Sequence, residues 1–107
     1  MKKTTLLVGI FLTMITMAHA NGVSDVPIEV KRGLAKAYQG MDSSQRNYQI
    51  NRQEKAYLDM MSYVENAEIP AETKESILKN VNSMYPNNYI MQKHEAISRV
   101  DHVKSLM

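Results

Sequence analysis

The chain has 107 residues, with 13 Lys or Arg against 11 Asp or Glu, and neither cysteine nor tryptophan. Without cysteine it has no thiol nucleophile, no disulfide and no thiolate metal site, and lipid attachment at a cleavage-site cysteine is excluded. A chain this short supports one small domain, which buries roughly 60–65% of its unfolded surface.

The first segment, 1–20, reads as a secretory signal peptide. Lys2 and Lys3 form a positive start, Leu6 to Met17 is an uncharged and mostly apolar run, and Ala18-His19-Ala20 places small residues before Asn21. The apolar run is about a dozen residues, short of the roughly 20 that span a bilayer as a helix. Cleavage after Ala20 is expected to leave 21–107 as a single small helical domain, periplasmic or secreted, of a bacterial type. Loss of Lys2 and Lys3 would leave 11 basic residues against 11 acidic ones. A neutral domain has no electrostatic case for nucleic acid, which needs a clustered basic surface. It also lacks a polybasic membrane arm, and no later segment is apolar enough for stable membrane insertion. Small exported domains usually compensate for a small core with disulfides. This one must rely on helix packing, on a partner, or on both.

Glycine and proline divide the remainder into helices expected near 26–39, 43–66, 70–84 and 88–105. In the first, Ser24 or Asp25 can cap, and Pro27 suits a first turn because its missing N–H is not needed there. Val30, Leu34, Ala37 and Met41 form one stripe at spacings of 4, 3 and 4. Gly40 is expected to end the helix in a left-handed conformation. Gly33 weakens the interior by roughly 0.5–1 kcal/mol relative to Ala.

The second helix has Asp42 at its N-cap and Gln45 three residues on, a capping-box pattern. Ile50, Tyr57, Met61 and Val64 form its stripe. In the third, Pro70 is expected at the first helical position, with Glu72 and Glu75 near the positive end of the dipole. Its stripe is Ile77, Val81 and Met84, flanked by Leu78, and Pro86 stops it. The fourth carries Ile90, Ile97, Val100, Val103 and Met107, with Gln92, Lys93 and Glu95 expected to face water. No alternating run or hairpin turn signals a strand. The expected fold class is all-α, a small bundle of three to four antiparallel helices joined by short loops.

Two short similarities bear on origin. "NYQINRQE" (Asn47 to Glu54) and "NYIMQKHE" (Asn88 to Glu95) align at an offset of 41 residues, which suggests either a duplicated helical unit or chance among amphipathic helices. "MDSSQ" (Met41 to Gln45) is similar to the L-T-x-x-Q motif of the Spy/CpxP periplasmic helical chaperones. Met and Asp replace its Leu and Thr, and no second copy occurs. A capping box accounts for the same five positions.

The candidate chemistry is sparse. His94 and His102 are eight residues apart, about 80° around a helix and about 12 Å along it. Two zinc ligands from one helix need the i, i+4 spacing of H-E-x-x-H, which is absent. Met84, Met91 and His94 are the candidates for a soft-ligand copper site, since Met and His suit Cu(I). They are not concentrated by a Met repeat, and Met commonly fills gaps in helical cores. No Gly-rich phosphate loop or nucleophile elbow is present, so no enzyme activity and no cofactor are expected.

What remains is interaction. Tyrosine combines apolar area with a polar tip, a combination enriched at protein interfaces. Tyr85 and Tyr89 flank Pro86 and either cover one end of the bundle or contact a partner. Met60 and Tyr63 widen the apolar face of the second helix into a surface suited to adaptable binding. The expected function is that of a small exported, non-enzymatic protein that binds another protein in the bacterial envelope or outside the cell. An accessory, inhibitor or immunity-type factor would fit. The alternatives are a periplasmic stress chaperone, a Met/His-based copper binder, or a homodimer paired along the second helix.

Overall fold

The computed structural model describes residues 26–107, so the leader, its cleavage site, Ser24 and Asp25 lie outside the described residues. The described chain is all-helical and has no strand. It forms α1 (Ile28–Ala37), α2 (Ser43–Asn66), α3 (Ala71–Met84) and α4 (Tyr89–Leu106).

Two prolines start helices in the same way. Pro27 and Pro70 each stand just before the first helical residue, with ψ near 150° and 145°. Their carbonyls receive the first helical amides, Val30 and Lys31 in α1 and Thr73 and Lys74 in α3. Pro70 is therefore one residue earlier than its composition suggests. The fixed proline φ suits both positions, and ψ decides between them. At the end of α1, Tyr38 donates its amide to the Leu34 carbonyl. Gly40 follows in a turn and does not take the left-handed conformation expected of it. Asp42 occupies the N-cap of α2, but the side-chain cap bond of a capping box does not form. Its carboxylate instead accepts the Ser44 hydroxyl at 3.0 Å. That bond is the main reason its pKa lies below the ordinary carboxylate value.

The main packing joins α2 to α4; α3 packs on α4, and α1 on α2. Helices α2 and α4 run in parallel. Contacts advance together along both, from Gln53 with Tyr89, through Asp59 with Lys93, to Tyr63 with Asp101. Two successive reversals through short loops restore the original direction, so elements two apart share it.

The core centres on Leu34, Val64, Val81 and Val100, all fully buried. Each such side chain contributes about 1.5–3 kcal/mol through removal of apolar surface from water. Tyr57, Met60 and Met61 supply the bulk from α2. The inward face of α4 is Tyr89, Gln92, Ala96 and Val100, while Ile90 and Ile97 are half-buried at its edge. Gln92 is thus 1% exposed rather than solvated. Its amide group donates to the Asn82 side chain at 3.2 Å and to the Tyr85 carbonyl at 2.8 Å. These bonds remove the cost of burying it. Met84 lies on the stripe of Ile77 and Val81 yet is 47% exposed, at the last residue of α3.

Candidate functional site

The corner between α3 and α4 concentrates most of the polar side-chain bonding of the interior. Asn87 has a φ of 61°, a left-handed conformation that Asn tolerates better than most residues. It turns the chain after Pro86. Asn88 then caps α4, its side chain accepting the Met91 amide at 3.2 Å. The next two amides, those of Tyr89 and Ile90, are satisfied from another helix. Both donate to Oε1 of Gln53 in α2. Gln53 is 4% exposed, and its Nε2 donates to the Tyr38 hydroxyl at 3.1 Å. One buried amide group therefore joins the end of α1, the middle of α2 and the start of α4.

Two further contacts close the corner. The rings of Tyr57 and Tyr89 meet edge to face, centroids 5.3 Å apart at 86°, a geometry favoured by the aromatic quadrupole. Burial is the first cause that pushes the Tyr57 hydroxyl up to about 12, with the neighbouring Tyr89 and Glu29 adding to it. Burial also raises Tyr89. Gly33 of α1 faces the Asn87 side chain, and a Cβ at this position would collide with the Asn87 Oδ1.

The expected partner-binding residues are dispersed by the fold. Met60 and Tyr89 are 2% and 7% exposed, so their surface is taken up by the core and no face is left for a partner. Tyr85 is half-buried, and its carbonyl receives Gln92. Tyr63 is half-buried at the α2–α4 edge, where its hydroxyl donates to Asp101. That bond is the main cause of its raised pKa. Tyr85 and Tyr89 do not form an aromatic pair; the pair that forms is Tyr57 with Tyr89.

The soft-ligand candidates all lie at the surface. Met84, Met91 and His94 are exposed, and the Met84 sulfur accepts a bond from the Arg99 guanidinium at 3.4 Å. Among the described residues, no three His, Cys, Asp or Glu side chains are grouped so as to hold a metal ion. No helix among them is long and apolar enough to cross a membrane.

The surface with the least internal engagement is the tip of the α1–α2 hairpin. No residue between Leu34 and Gln53 is buried, the longest such run among the described residues. Tyr48 and Met41 are 60% and 41% exposed there. The Arg52 guanidinium stands 5.6 Å from the centre of the Tyr48 ring. Tyr, Ser, Gly, Asn and Gln dominate this stretch, with Arg46 and Arg52. That composition resembles adaptable binding loops, in which Tyr supplies area at low entropic cost and small polar residues supply hydrogen bonds.

The two similar octapeptides occupy unlike places. Tyr48 is exposed and its counterpart Tyr89 buried, whereas Gln53 is buried and its counterpart His94 exposed. A duplicated unit would keep corresponding positions in corresponding environments, and this pair does not.

No protein-family model matches the chain, and no curated protein or solved structure is significantly similar to it.

Proposed function

We propose that this chain is a small exported, non-enzymatic bundle of helices that binds another protein in the bacterial envelope or outside the cell, as an accessory, inhibitor or immunity-type factor. The leader-like segment 1–20 supports export. The observation that carries the binding reading is the hairpin tip between Leu34 and Gln53. It contributes no buried residue to the core, yet it carries an exposed tyrosine stacked with an arginine. Tyr and Arg are the side chains that dominate binding energy at protein interfaces. Placing the contact at Met41 and Tyr48 also leaves Met60 and Tyr89 to the core, where they are buried.

Affinity capture of the tagged, exported protein from its own cells tests the reading. One stoichiometric protein partner, lost when Tyr48 is replaced by Ala, is the expected result. Recovery of the protein with no such partner, or of a partner indifferent to Tyr48 and Met41, would count against it.

A further inference from the structure

We propose that the outward face of α2 is a self-complementary seam, which pairs in antiparallel fashion with α2 of a second copy of this chain. Tyr48, Arg52, Lys55, Asp59, Ser62 and Asn66 recur at spacings of 4, 3, 4, 3 and 4, and all six are exposed. This spacing keeps the six on one face of the helix. It lies on the side of α2 opposite Gln53, Tyr57, Met60 and Val64, which face the core. Neither α1, α3 nor α4 covers it. Only Lys93 reaches the edge, with its ammonium 3.6 Å from Asp59.

The spacing reads the same in both directions. An antiparallel copy centred between Lys55 and Asp59 therefore sets every seam residue opposite another. Lys55 meets Asp59 twice, Arg52 meets Ser62, and Tyr48 meets Asn66. Within one chain Lys55 and Asp59 are already 3.2 Å apart across one turn. In the pair, each gains the opposite charge of the second copy as well.

Charge order identifies the occupant. Between residues 31 and 55 there are six basic residues and two acidic ones, whereas between 59 and 75 there are five acidic residues and one basic. The chain thus carries both halves of the contact. Apart from the N-cap Asp42, the order also opposes the helix dipole: α2 has no acid in its first turn and no base in its last. Its final turns instead hold Glu65. An antiparallel second copy brings its Asp59 beside this Lys55 and its Lys55 beside this Asp59. Such a two-fold contact closes at two copies and does not propagate. The seam shares Tyr48 and Arg52 with the contact proposed above, whereas Lys55 and Asp59 lie outside that contact and tell the two apart.

Sedimentation and light scattering of the exported protein test it, at low salt and at about 1 M salt, where the screening length falls to about 3 Å. The expected mass rises towards a dimer with concentration at low salt and returns to the monomer at high salt. Lys55→Asp and Asp59→Lys should each be monomeric alone. Mixed in equal amounts they should recover the dimer, because each variant then supplies the charge that the other lacks. Wild-type protein that stays monomeric at about 1 mM in low salt overturns the proposal. So does a dimer that survives either single reversal, or a mixture that fails to associate under conditions where the wild type does.

Discussion

Gln53 of α2 caps α4: its side-chain oxygen accepts the amide of Tyr89, 36 residues further along the chain. It also accepts the amide of Ile90 at 3.1 Å. The first amides of any helix lack intrahelical partners, and in a buried corner water is not at hand to satisfy them. Gln53→Leu is expected to keep the volume and orphan two donors together with the Tyr38 hydroxyl. Unpaired buried amides cost about 1–3 kcal/mol each, so the two together are expected to cost about 2–6 kcal/mol in urea unfolding. Gln53→Glu keeps an acceptor beside the positive end of the helix and should cost less than Leu. A Leu variant as stable as wild type would show that Gln53 is a passenger.

Gly33→Ala reverses the usual rule. In an ordinary helix interior this change stabilises by about 0.5–1 kcal/mol. Here the added methyl meets the Asn87 side chain, which is held in place by a φ of 61°. A loss of about 1–2 kcal/mol is expected, in the range of overpacking. Asn87→Gly removes the obstacle and suits positive φ, so the double variant should recover most of that loss. A double-mutant cycle measured by thermal unfolding reads the coupling. Additive effects would dispose of the contact.

These two positions also show where the sequence was legible. The four helices follow from the prolines, from the Asp42 and Asn88 caps, and from stripes such as Ile77 with Val81, all of which are local signals. Gln53 was open to the same reasoning. It stands between Ile50 and Tyr57 at spacings of 3 and 4, so a polar residue on an apolar stripe marked a buried bond, although not its partner. The parallel course of α2 and α4 and the meeting of Gly33 with Asn87 depend on which helices pack, and no local spacing encodes that. The burial of Tyr89 depends on the same long-range packing. Its place beside Pro86 leaves open whether it covers the end of the bundle or meets a partner, and the neighbour that buries it, Tyr57, is 32 residues away in the chain.

Alkaline pH should destabilise the fold through Tyr57. Its hydroxyl is raised from 10.0 to about 12 in the folded chain, chiefly by burial. Below pH 10 the group is protonated in both folded and unfolded chains and costs nothing. Between about pH 10 and 12 only the unfolded chain ionises, so stability falls as pH rises. The limit is on the order of 3 kcal/mol, from about 1.4 kcal/mol per pKa unit. Tyr57→Phe keeps the ring against Tyr89 and should flatten this part of the pH profile. A Phe variant with the wild-type slope would assign the loss to other groups.

The hairpin tip should separate stability from binding. Tyr48 is 60% exposed and Met41 is 41% exposed, and neither belongs to the core or packs against it. Surface substitutions of this kind usually stay within ±0.5 kcal/mol, so Tyr48→Ala and Met41→Ser should unfold with the wild-type midpoint. If the tip is where another protein docks, the same changes should weaken that complex by more than about 1 kcal/mol each, as central aromatic contacts do. Met60→Ala is the control with the opposite pattern. It opens a cavity beneath α2, where the side chain is 2% exposed, and should cost about 2–5 kcal/mol of stability. At temperatures where it remains folded, it should bind as the wild type does. Titration calorimetry against the captured partner, run beside unfolding curves, distinguishes the two classes. If Tyr48→Ala binds normally and Met60→Ala does not, the contact lies over the α2–α4 face and not at the tip.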